Sequence, residues 1–455
     1  MSRFSENLPF DYGHYFAAAA QFLHRYRWIF CSSNTKFIRC GVLDKLPQEW
    51  INDLHGVSNE EFNQIPLGLV KSWCDSFKAF IHDVQQLQVR YDEHDNNHRP
   101  VARKGISAKK AYEIENLCSF IEKTRSSQDP AIFVDFGSGL GYLSELIHER
   151  CSLQVLGIEG NAQLVQTCNK RQTELCSTST YPVQYCHHFI THESFNFIEK
   201  ELSTRFGIPS ERSTACIAGL HACADLSITA IDCFLQCDWA KKLTVMPCCY
   251  HRMKTLHESD GACIFENIPL SNKLREALAT DNRNTISRPF LRLGCQQTAA
   301  RWKVRTAEEH MQHGRVMFRR GLVEAILDAD ESVHVGKMKQ VPEETTVQNV
   351  LDQFTLRKQA GDERQECPWT DRHREKLSVL LERYGSENGP RLAEYLECLQ
   401  TCLQSICENV ILLDRMCYLE DAASRIDGLQ IRRNLVRLRD DGLSPRCFVF
   451  YAAKV

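Results

Sequence analysis

A glycine-rich turn is the feature that most constrains the fold of this chain. Residues 131–136 form a short apolar run that contains Asp135, and Gly137, Gly139 and Gly141 follow at every second position. A helical pattern of apolar residues begins directly afterwards. A strand, a glycine turn and a helix in this order are typical of the first unit of a parallel sheet, where the backbone approaches an adenosine-bearing ligand.

The spacing of the glycines discriminates between cofactors. A dinucleotide-binding turn reads G-x-G-x-x-G, whereas here the third glycine comes one residue earlier. Asp135 lies two residues before Gly137, and the segment resembles the first motif of the class I S-adenosylmethionine (SAM) methyltransferases. SAM carries no phosphate, and an acidic residue near the turn suits its cationic amino acid end. A glycine turn without a ligand is the alternative interpretation.

A second strand-like run, residues 153–158, argues against that alternative. It leads into Glu159, about twenty residues after the glycines, and a carboxylate at this point can accept both hydroxyls of an adenosine ribose. We therefore predict SAM as the cofactor. The predicted cofactor-binding residues are Asp135, Gly137, Ser138, Gly139, Gly141, Tyr142, Glu159, Gly160, Asn161 and His188.

Composition sets wide limits on function. The chain has 455 residues with 43% hydrophobic and 25% charged residues, as in ordinary globular proteins, and its net charge is −3, so a nucleic-acid site would have to be a local patch. We find no apolar run of membrane-spanning length and no signal peptide, and we expect an intracellular protein, in the cytoplasm or the nucleus, without membrane contact. The 22 cysteines include no Cys-x-x-Cys pair, which predicts free thiols, most of them small buried residues.

The alternation of strand and helix patterns predicts an α/β fold, a class I methyltransferase Rossmann-like sheet. Strand signals stop near residue 262 and return in two final strands joined by the turn at 440–445. The predicted regions are an N-terminal helical region (1–98), a core with the first five strands (99–261), a mostly helical insertion with a flexible segment near 330–366 (262–400), and the completion of the core (401–455).

Polar residues crowd the predicted ends of the fourth and fifth strands, where open α/β sheets bind their ligands. The predicted catalytic residues are His221, Asp225, Cys249, Tyr250 and His251. The histidines and Asp225 could orient or deprotonate a methyl acceptor, and Tyr250 could stack on it or close the pocket. The alternatives are structural histidines and, for Asp225, a helix N-cap, which we favour over catalysis.

The adjacent Cys248 and Cys249 allow two further hypotheses. One is a thiolate nucleophile. The other is a metal site that also uses His221, Cys223 and His251. Because Cys-Cys-x-His is not a common zinc spacing, we favour two small packed thiols and expect no metal.

The segments 220–226 and 247–251 resemble the methyltransferase-like protein 25 family, which includes a member named for a ribosomal RNA adenine dimethylase domain. Further segments fit the same family, namely 43–50, 107–113, 410–416 and 443–446. A similar double-cysteine and histidine element occurs in a tRNA 2′-O-methyltransferase family, so the resemblance implies RNA as a substrate. The Asn-Pro-Pro-Tyr loop of adenine N-methyltransferases is missing, since His221, Ala222 and Cys223 stand there, and Ala224 replaces an expected glycine.

Three hypotheses about function remain open. The first, which we favour, is a methyltransferase that acts on RNA, with basic residues that contact phosphates. These residues are Arg103, Lys104, Lys109, Lys110, Arg288, Arg292, Arg301, Arg305, Arg315, Arg319 and Arg320. The second is a protein methyltransferase, whose helical insertion would bind a protein partner. The third is a SAM-binding interaction protein without catalytic activity.

Overall fold

The architecture follows from a computed structural model of the chain. It describes residues 2–94, 106–175, 182–207, 214–259, 262–279, 285–296, 298–327, 333–336, 344–360, 363–439, 442–445 and 447–455. Outside the described residues lie Arg103, Lys104, Arg446, the boundary predicted at residues 98–99 and part of the predicted flexible segment near 330–366. Clustering of contacts divides the chain into two compact units.

The strands are numbered in chain order. They are β1 (Ser2–Arg3), β2 (Val89–Arg90), β3 (Asp92–His94), β4 (Ile132–Phe136), β5 (Gln154–Glu159), β6 (Val183–His187), β7 (Ala215–Cys223), β8 (Ala240–Cys248), β9 (Thr255–Ser259), β10 (Ala262–Phe265), β11 (Val333–Val335), β12 (Leu356–Ala360), β13 (Glu363–Cys367), β14 (Ile431–Leu438) and β15 (Phe448–Lys454).

The helices are numbered in the same way. They are α1 (Tyr12–Arg25), α2 (Gln48–His55), α3 (Asn59–Gln64), α4 (Asp75–Gln86), α5 (Ala108–Thr124), α6 (Tyr142–Cys151), α7 (Ala162–Leu175), α8 (Phe195–Phe206), α9 (Leu226–Gln236), α10 (Asn272–Ala277), α11 (Arg288–Leu293), α12 (Ala299–Trp302), α13 (Ala307–Ile326), α14 (Val347–Asp352), α15 (Asp371–Tyr384) and α16 (Asn388–Ala423). Among these described helices, none is both long enough and apolar enough to cross a membrane.

The first unit comprises residues 1–21, 87–296 and 406–455 and contains an eight-stranded sheet. Its order is β3-β14-β15-β8-β7-β4-β5-β6. Strands β4 to β8 pair in parallel, whereas β15 runs antiparallel to both β8 and β14. The five residues of β4 are all buried, as expected of a central strand covered on both faces.

This order is that of a class I methyltransferase sheet, so the predicted fold is confirmed. All seven strands predicted from the sequence are present, including the final antiparallel pair after the long insertion. The sequence did not predict β3, which extends the sheet by pairing in parallel with β14. Its three residues are too few to show a periodic pattern.

The second unit comprises residues 22–86 and 297–405. It is mostly helical, with α13 and α15 packed together, and it includes a three-stranded antiparallel sheet of β11, β12 and β13. The region predicted as one helical block over 1–98 is therefore divided, because 22–86 belong to this unit and the flanking residues to the first. The insertion predicted over 262–400 is divided in the same way near residue 296.

Candidate active site

Two groups of loops meet at one edge of the large sheet, because the carboxyl ends of parallel strands lie on the same side. The residues at and directly after the ends of β4, β5 and β6, namely 135–142, 159–161 and 188–189, are called the cofactor half. The residues at and directly after the ends of β7 and β8, namely 221–225 and 248–252, are called the acceptor half. All of these residues belong to the first unit.

Asp135, near the end of β4, is almost fully buried. Its carboxylate accepts a hydrogen bond from Ser144 Oγ at 2.6 Å, which ties the strand to the first turn of α6. Burial raises the pKa of Asp135 to about 6, and the charge of Glu159 acts in the same direction. The hydrogen bond from Ser144 and the charge of Lys110 oppose this shift. A cation placed beside Asp135 would therefore stabilise its ionised form.

The glycine turn leaves open space where a ligand could lie. Gly139 has a φ of +58°, and a Cβ added there would meet nothing within 4 Å. Next to it, Ser138 Oγ is buried and has no hydrogen-bond partner in the described part of the chain. A buried hydroxyl with no partner among the described residues, beside an open backbone, is suited to a polar ligand.

Glu159, at the end of β5, connects the glycine turn to the loop after β5 through two hydrogen bonds. One carboxylate oxygen accepts from the backbone N–H of Gly139 at 2.9 Å, and the other accepts from the N–H of Asn161 at 2.8 Å. A carboxylate has about four acceptor sites, so two remain available for ligand hydroxyls. Glu159 thus shapes the turn in addition to its predicted contact with a ribose.

Gly141 is required by the close approach of Tyr185, whose hydroxyl donates to the Gly141 carbonyl at 3.2 Å. A Cβ at Gly141 would lie 2.1 Å from that hydroxyl. Tyr142 follows at the start of α6, and Lys110 and Arg171 lie 5.3 and 5.0 Å from its ring centroid. Lys110, one of the basic residues predicted to contact phosphates, therefore lies close to the cofactor half.

The other predicted cofactor residues have mainly structural contacts. Asn161 Oδ1 accepts from the N–H of Gln163 at 2.9 Å and caps α7. His188 stacks on Phe197, with 4.0 Å between ring centroids, and its Nε2 lies 2.8 Å from Ser194 Oγ.

Sequence reasoning missed Phe189. Its side chain is 77% exposed, an unusual fraction for a phenylalanine, and it lies against Gly160. An exposed aromatic ring at the edge of the cofactor half is suited to stack on a purine base.

In the acceptor half, His221 lies near the end of β7 with Nε2 3.4 Å from the carboxylate of Glu113. Glu113 is on α5 and buried, and it also accepts a hydrogen bond from the Ser444 hydroxyl. A histidine beside a buried carboxylate has the arrangement of an oriented general base. Glu113 was not predicted, because nothing in its local pattern distinguishes it from other helical glutamates.

The structure corrects the prediction for Tyr250. Its side chain is 1% exposed, its hydroxyl donates to Glu408 at 3.1 Å, and the Arg415 guanidinium lies 5.1 Å from its ring centroid. Tyr250 therefore cannot stack on an acceptor. It supports the loop after β8.

Asp225 also has a role in loop structure. It occupies the N-cap position of α9, as predicted, but its side chain makes no capping hydrogen bond. Its carboxylate instead accepts from the N–H of Lys254 at 2.9 Å and from Asn267 Nδ2 at 2.8 Å. Asp225 thus fastens the acceptor half to the segment that follows it.

His251 follows β8 and lies near the arginine side chains of residues 252, 288 and 292. Arg288 donates to its carbonyl at 2.7 Å, and its Nδ1 lies 3.4 Å from Cys295 Sγ. The helix that carries Arg288 and Arg292, α11, packs against the turn at 250–252. Burial and then the charge of Arg292 lower the pKa of His251, and Arg252 and Arg288 add to the effect, while Cys249 opposes it.

Cys249 belongs to a group of three thiols with Cys223 and Cys248. Their Sγ atoms all lie within 4.8 Å of one another. The predicted set of five possible metal ligands is therefore only partly assembled, since neither His221 nor His251 belongs to this group.

The arginines of residues 288–320, which we predicted to contact phosphates, are divided between the two units. Arg288 and Arg292 belong to the first unit, whereas the other five belong to the second. Arg319 is fully buried and bonded to Thr345, which rules it out as a surface contact. Arg305 is paired with Glu394 at 3.2 Å.

Comparison with known proteins identifies the domain that carries this site. A family model described as a methyltransferase domain matches residues 109–256. These residues form a methyltransferase domain. The match confirms the prediction of a methyltransferase domain and of SAM as its cofactor, and Asp135, Ser138, Gly139 and Glu159 fit that ligand.

A curated mouse protein, probable methyltransferase-like protein 25, is 26% identical over 253 residues. The aligned part covers 52% of this chain but only 37% of the mouse protein, so the chain spans little more than a third of that relative. This similarity confirms the resemblance inferred from the sequence motifs.

Solved structures of methyltransferases are also similar to the chain. A geranyl diphosphate methyltransferase in complex with GPP and sinefungin has 15% identity and a TM-score of 0.22, covering 42% of this chain and 70% of that one. The plantazolicin methyltransferase BpumL in complex with SAH has 11% identity and a TM-score of 0.20, covering 74% of this chain and 93% of that one.

Proposed function

We propose that this protein uses SAM to methylate RNA. The cofactor half supports the first part of the proposal, because it combines an open glycine turn, an orphaned hydroxyl and two carboxylates suited to a cationic nucleoside. The acceptor half supports RNA as the substrate, because arginine side chains lie beside it.

The observation that carries the choice of RNA is the group of three arginines around the loop after β8. Arg252 and Arg292 are exposed, and Arg288 is half-exposed and bonded to the carbonyl of His251. They lie on two segments that pack together, so their charges are concentrated beside the acceptor half. The whole chain is slightly acidic, and such a local cluster is what a polyanionic substrate requires.

Methyl transfer from SAM requires two contributions from the protein. SAM supplies an electrophilic methyl group on a sulfonium. The residues of the acceptor half must place the acceptor atom in line with that methyl group and remove a proton where the acceptor carries one. We assign proton removal to His221, and Glu113 would stabilise the protonated imidazole through its buried carboxylate.

The test compares substrates directly. Purified protein is incubated with SAM labelled in the methyl group, together with total RNA or with protein extract. We expect label in RNA, and label in protein alone would overturn the choice of substrate. No label in either sample from a folded protein that binds SAM would favour a non-catalytic SAM-binding role.

Charge variants localise the RNA contact. Arg252→Gln with Arg292→Gln should weaken RNA binding and reduce the slope of log affinity against log salt by about two. The matched control is Arg432→Gln. Arg432 is exposed at the start of β14, and because β14 runs in the same direction as β8, it lies at the opposite edge of the sheet. An equal loss in the control would show that the effect is one of net charge only.

A further inference from the structure

The mechanism proposed above uses none of the three thiols at the ends of β7 and β8, although Cys249 was predicted as a catalytic residue. Cys223 and Cys248 are paired in register on these neighbouring strands, and their Sγ atoms are 3.2 Å apart. Cys249 brings a third Sγ within 4.8 Å of both. Among the described residues, this is the only group of three or more possible metal ligands at such close range.

The backbone around these thiols is held in an uncommon conformation. Only three described residues other than glycine have a positive φ, and two of them are Ala224, which follows Cys223, and Cys249 itself. Each has a φ of +52°, in the left-handed region that L-residues other than glycine seldom adopt. The register of β7 against β8 is also irregular between Gly219 and Ala222. Such strain persists where the surrounding structure fixes it, and it concentrates at functional sites.

We propose that Cys223, Cys248 and Cys249 bind a zinc ion. Zinc binds thiolates at about 2.3 Å in a tetrahedral arrangement, which places two sulfur ligands about 3.8 Å apart. The thiols are already grouped around that spacing, so binding requires only small side-chain movements. Thiolate ligands select zinc over hard cations such as magnesium.

A buried arginine complements the charge of this site. Three thiolates and one Zn²⁺ carry a net charge of −1. Arg415 is almost fully buried, its Nη2 lies 3.5 Å from the carbonyl of Ala224, and its Nη1 has no hydrogen-bond partner among the described residues. A buried cation is costly unless it is compensated; the carboxylates of Asp414 and Asp225 already act on Arg415, and an anionic zinc centre would add to that compensation.

Three protein ligands leave one tetrahedral position open, which is the pattern of catalytic rather than structural zinc sites. The fourth ligand would be a water molecule or an oxygen of the methyl acceptor. The zinc site goes beyond the proposed function, because metal binding requires neither SAM nor RNA.

The first experiment measures metal content. The full chain, purified without an affinity tag under reducing conditions, is dialysed against zinc and then metal-free buffer and analysed by mass spectrometry of the elements. We expect about one zinc per chain. Cys223→Ser and Cys249→Ser should each lower this content at least tenfold. The matched control is Cys237→Ser, because Cys237 forms a group of only two thiols with Cys233, at 3.8 Å.

A second measurement uses the unmodified chain, so it does not depend on the folding of the variants. Zinc should slow alkylation of Cys223 and Cys249 at least tenfold, whereas the exposed Cys40 should react at the same rate. Replacement of zinc by Co²⁺ should produce sulfur-to-cobalt charge-transfer absorption.

Three outcomes would overturn the proposal. They are metal-free protein with unprotected thiols, equal loss of zinc in the Cys237→Ser control, and a Cys223–Cys248 disulfide in place of metal. SAM binding by the same sample, measured in parallel, keeps this result distinct from failure of the proposed function.

Discussion

The cofactor half and the acceptor half share one edge of the sheet, but they are built in different ways. The cofactor half is local in sequence, because Glu159 accepts from the backbone N–H groups of Gly139 and Asn161, which are 20 and 2 residues away from it. The acceptor half is assembled from distant segments, since His221 meets Glu113 and Tyr250 meets Glu408. The motif that would bind SAM is therefore local in sequence, whereas the residues proposed to position the acceptor are brought together by long-range side-chain contacts.

Because the two halves are built from different segments, substitutions should impair methyl transfer and SAM binding separately. The largest effect is expected at His221. If His221 is the general base, as proposed, His221→Ala should lower the rate of methyl transfer by about a hundredfold to ten-thousandfold. SAM affinity, measured by calorimetry, should not change. The control is His257→Ala, an exposed histidine on β9. Normal turnover of His221→Ala would remove His221 from the mechanism.

A change in the cofactor half should have the opposite profile. Glu159→Gln removes charge-assisted hydrogen bonds to the turn and to the ligand, so SAM affinity should fall about tenfold to a hundredfold. Glu174→Gln, an exposed position on α7, is the control. Equal affinity of the two variants for SAM would contradict the role assigned to Glu159.

The pH dependence of binding tests Asp135. Its pKa of about 6 means that the carboxyl group loses its charge between pH 7 and pH 5. Because SAM is cationic, its affinity should fall about tenfold over this range. Asp135→Asn should bind SAM more weakly at pH 7 and show no such dependence. A wild-type affinity that is constant from pH 5 to pH 7 would argue against contact between Asp135 and the cation.

The raised pKa of Asp135 also makes the free energy of unfolding depend on pH. The folded-state pKa lies above the ordinary value of 3.8, so Asp135 favours folding in its protonated form. Its contribution is fully present below pH 4 and is lost as the pH rises through 6. Relative to Asp135→Asn, the free energy of unfolding of the wild type should therefore decrease over that window, as measured by urea denaturation.

The smallest effect is expected at Phe189. Phe189→Ala should weaken SAM binding about fivefold, because one stacking contact is worth about 1 kcal/mol. Its high exposure means that stability should not change. Leu256→Ala removes another exposed apolar side chain, on β9, and should leave SAM affinity unaltered.

The strands of the sheet and the glycine turn could be predicted from the sequence because their signals are periodic and local. Apolar runs of five or six residues identify strands, and the positive φ of Gly137, Gly139 and Gly141 explains why glycine recurs at every second position.

The acceptor half could not be predicted to the same depth. The partnership of Glu113 with His221 and the burial of Tyr250 depend on which helices pack over the loops, and no local pattern encodes that choice. The division into two units was missed for the same reason, since 22–86 and 297–405 are distant in sequence.

Calorimetry on two alanine variants determines whether SAM occupies the space beside Gly139. Gly139 and Gly207 both have a positive φ, and an added Cβ meets nothing within 4 Å at either. Alanine should therefore cost each about 1 kcal/mol of stability. Only Gly139 lies in the cofactor half, so Gly139→Ala should lose SAM binding at least tenfold while Gly207→Ala binds like the wild type. Equal binding by both variants, or no binding by the folded wild type, would show that SAM does not occupy this space.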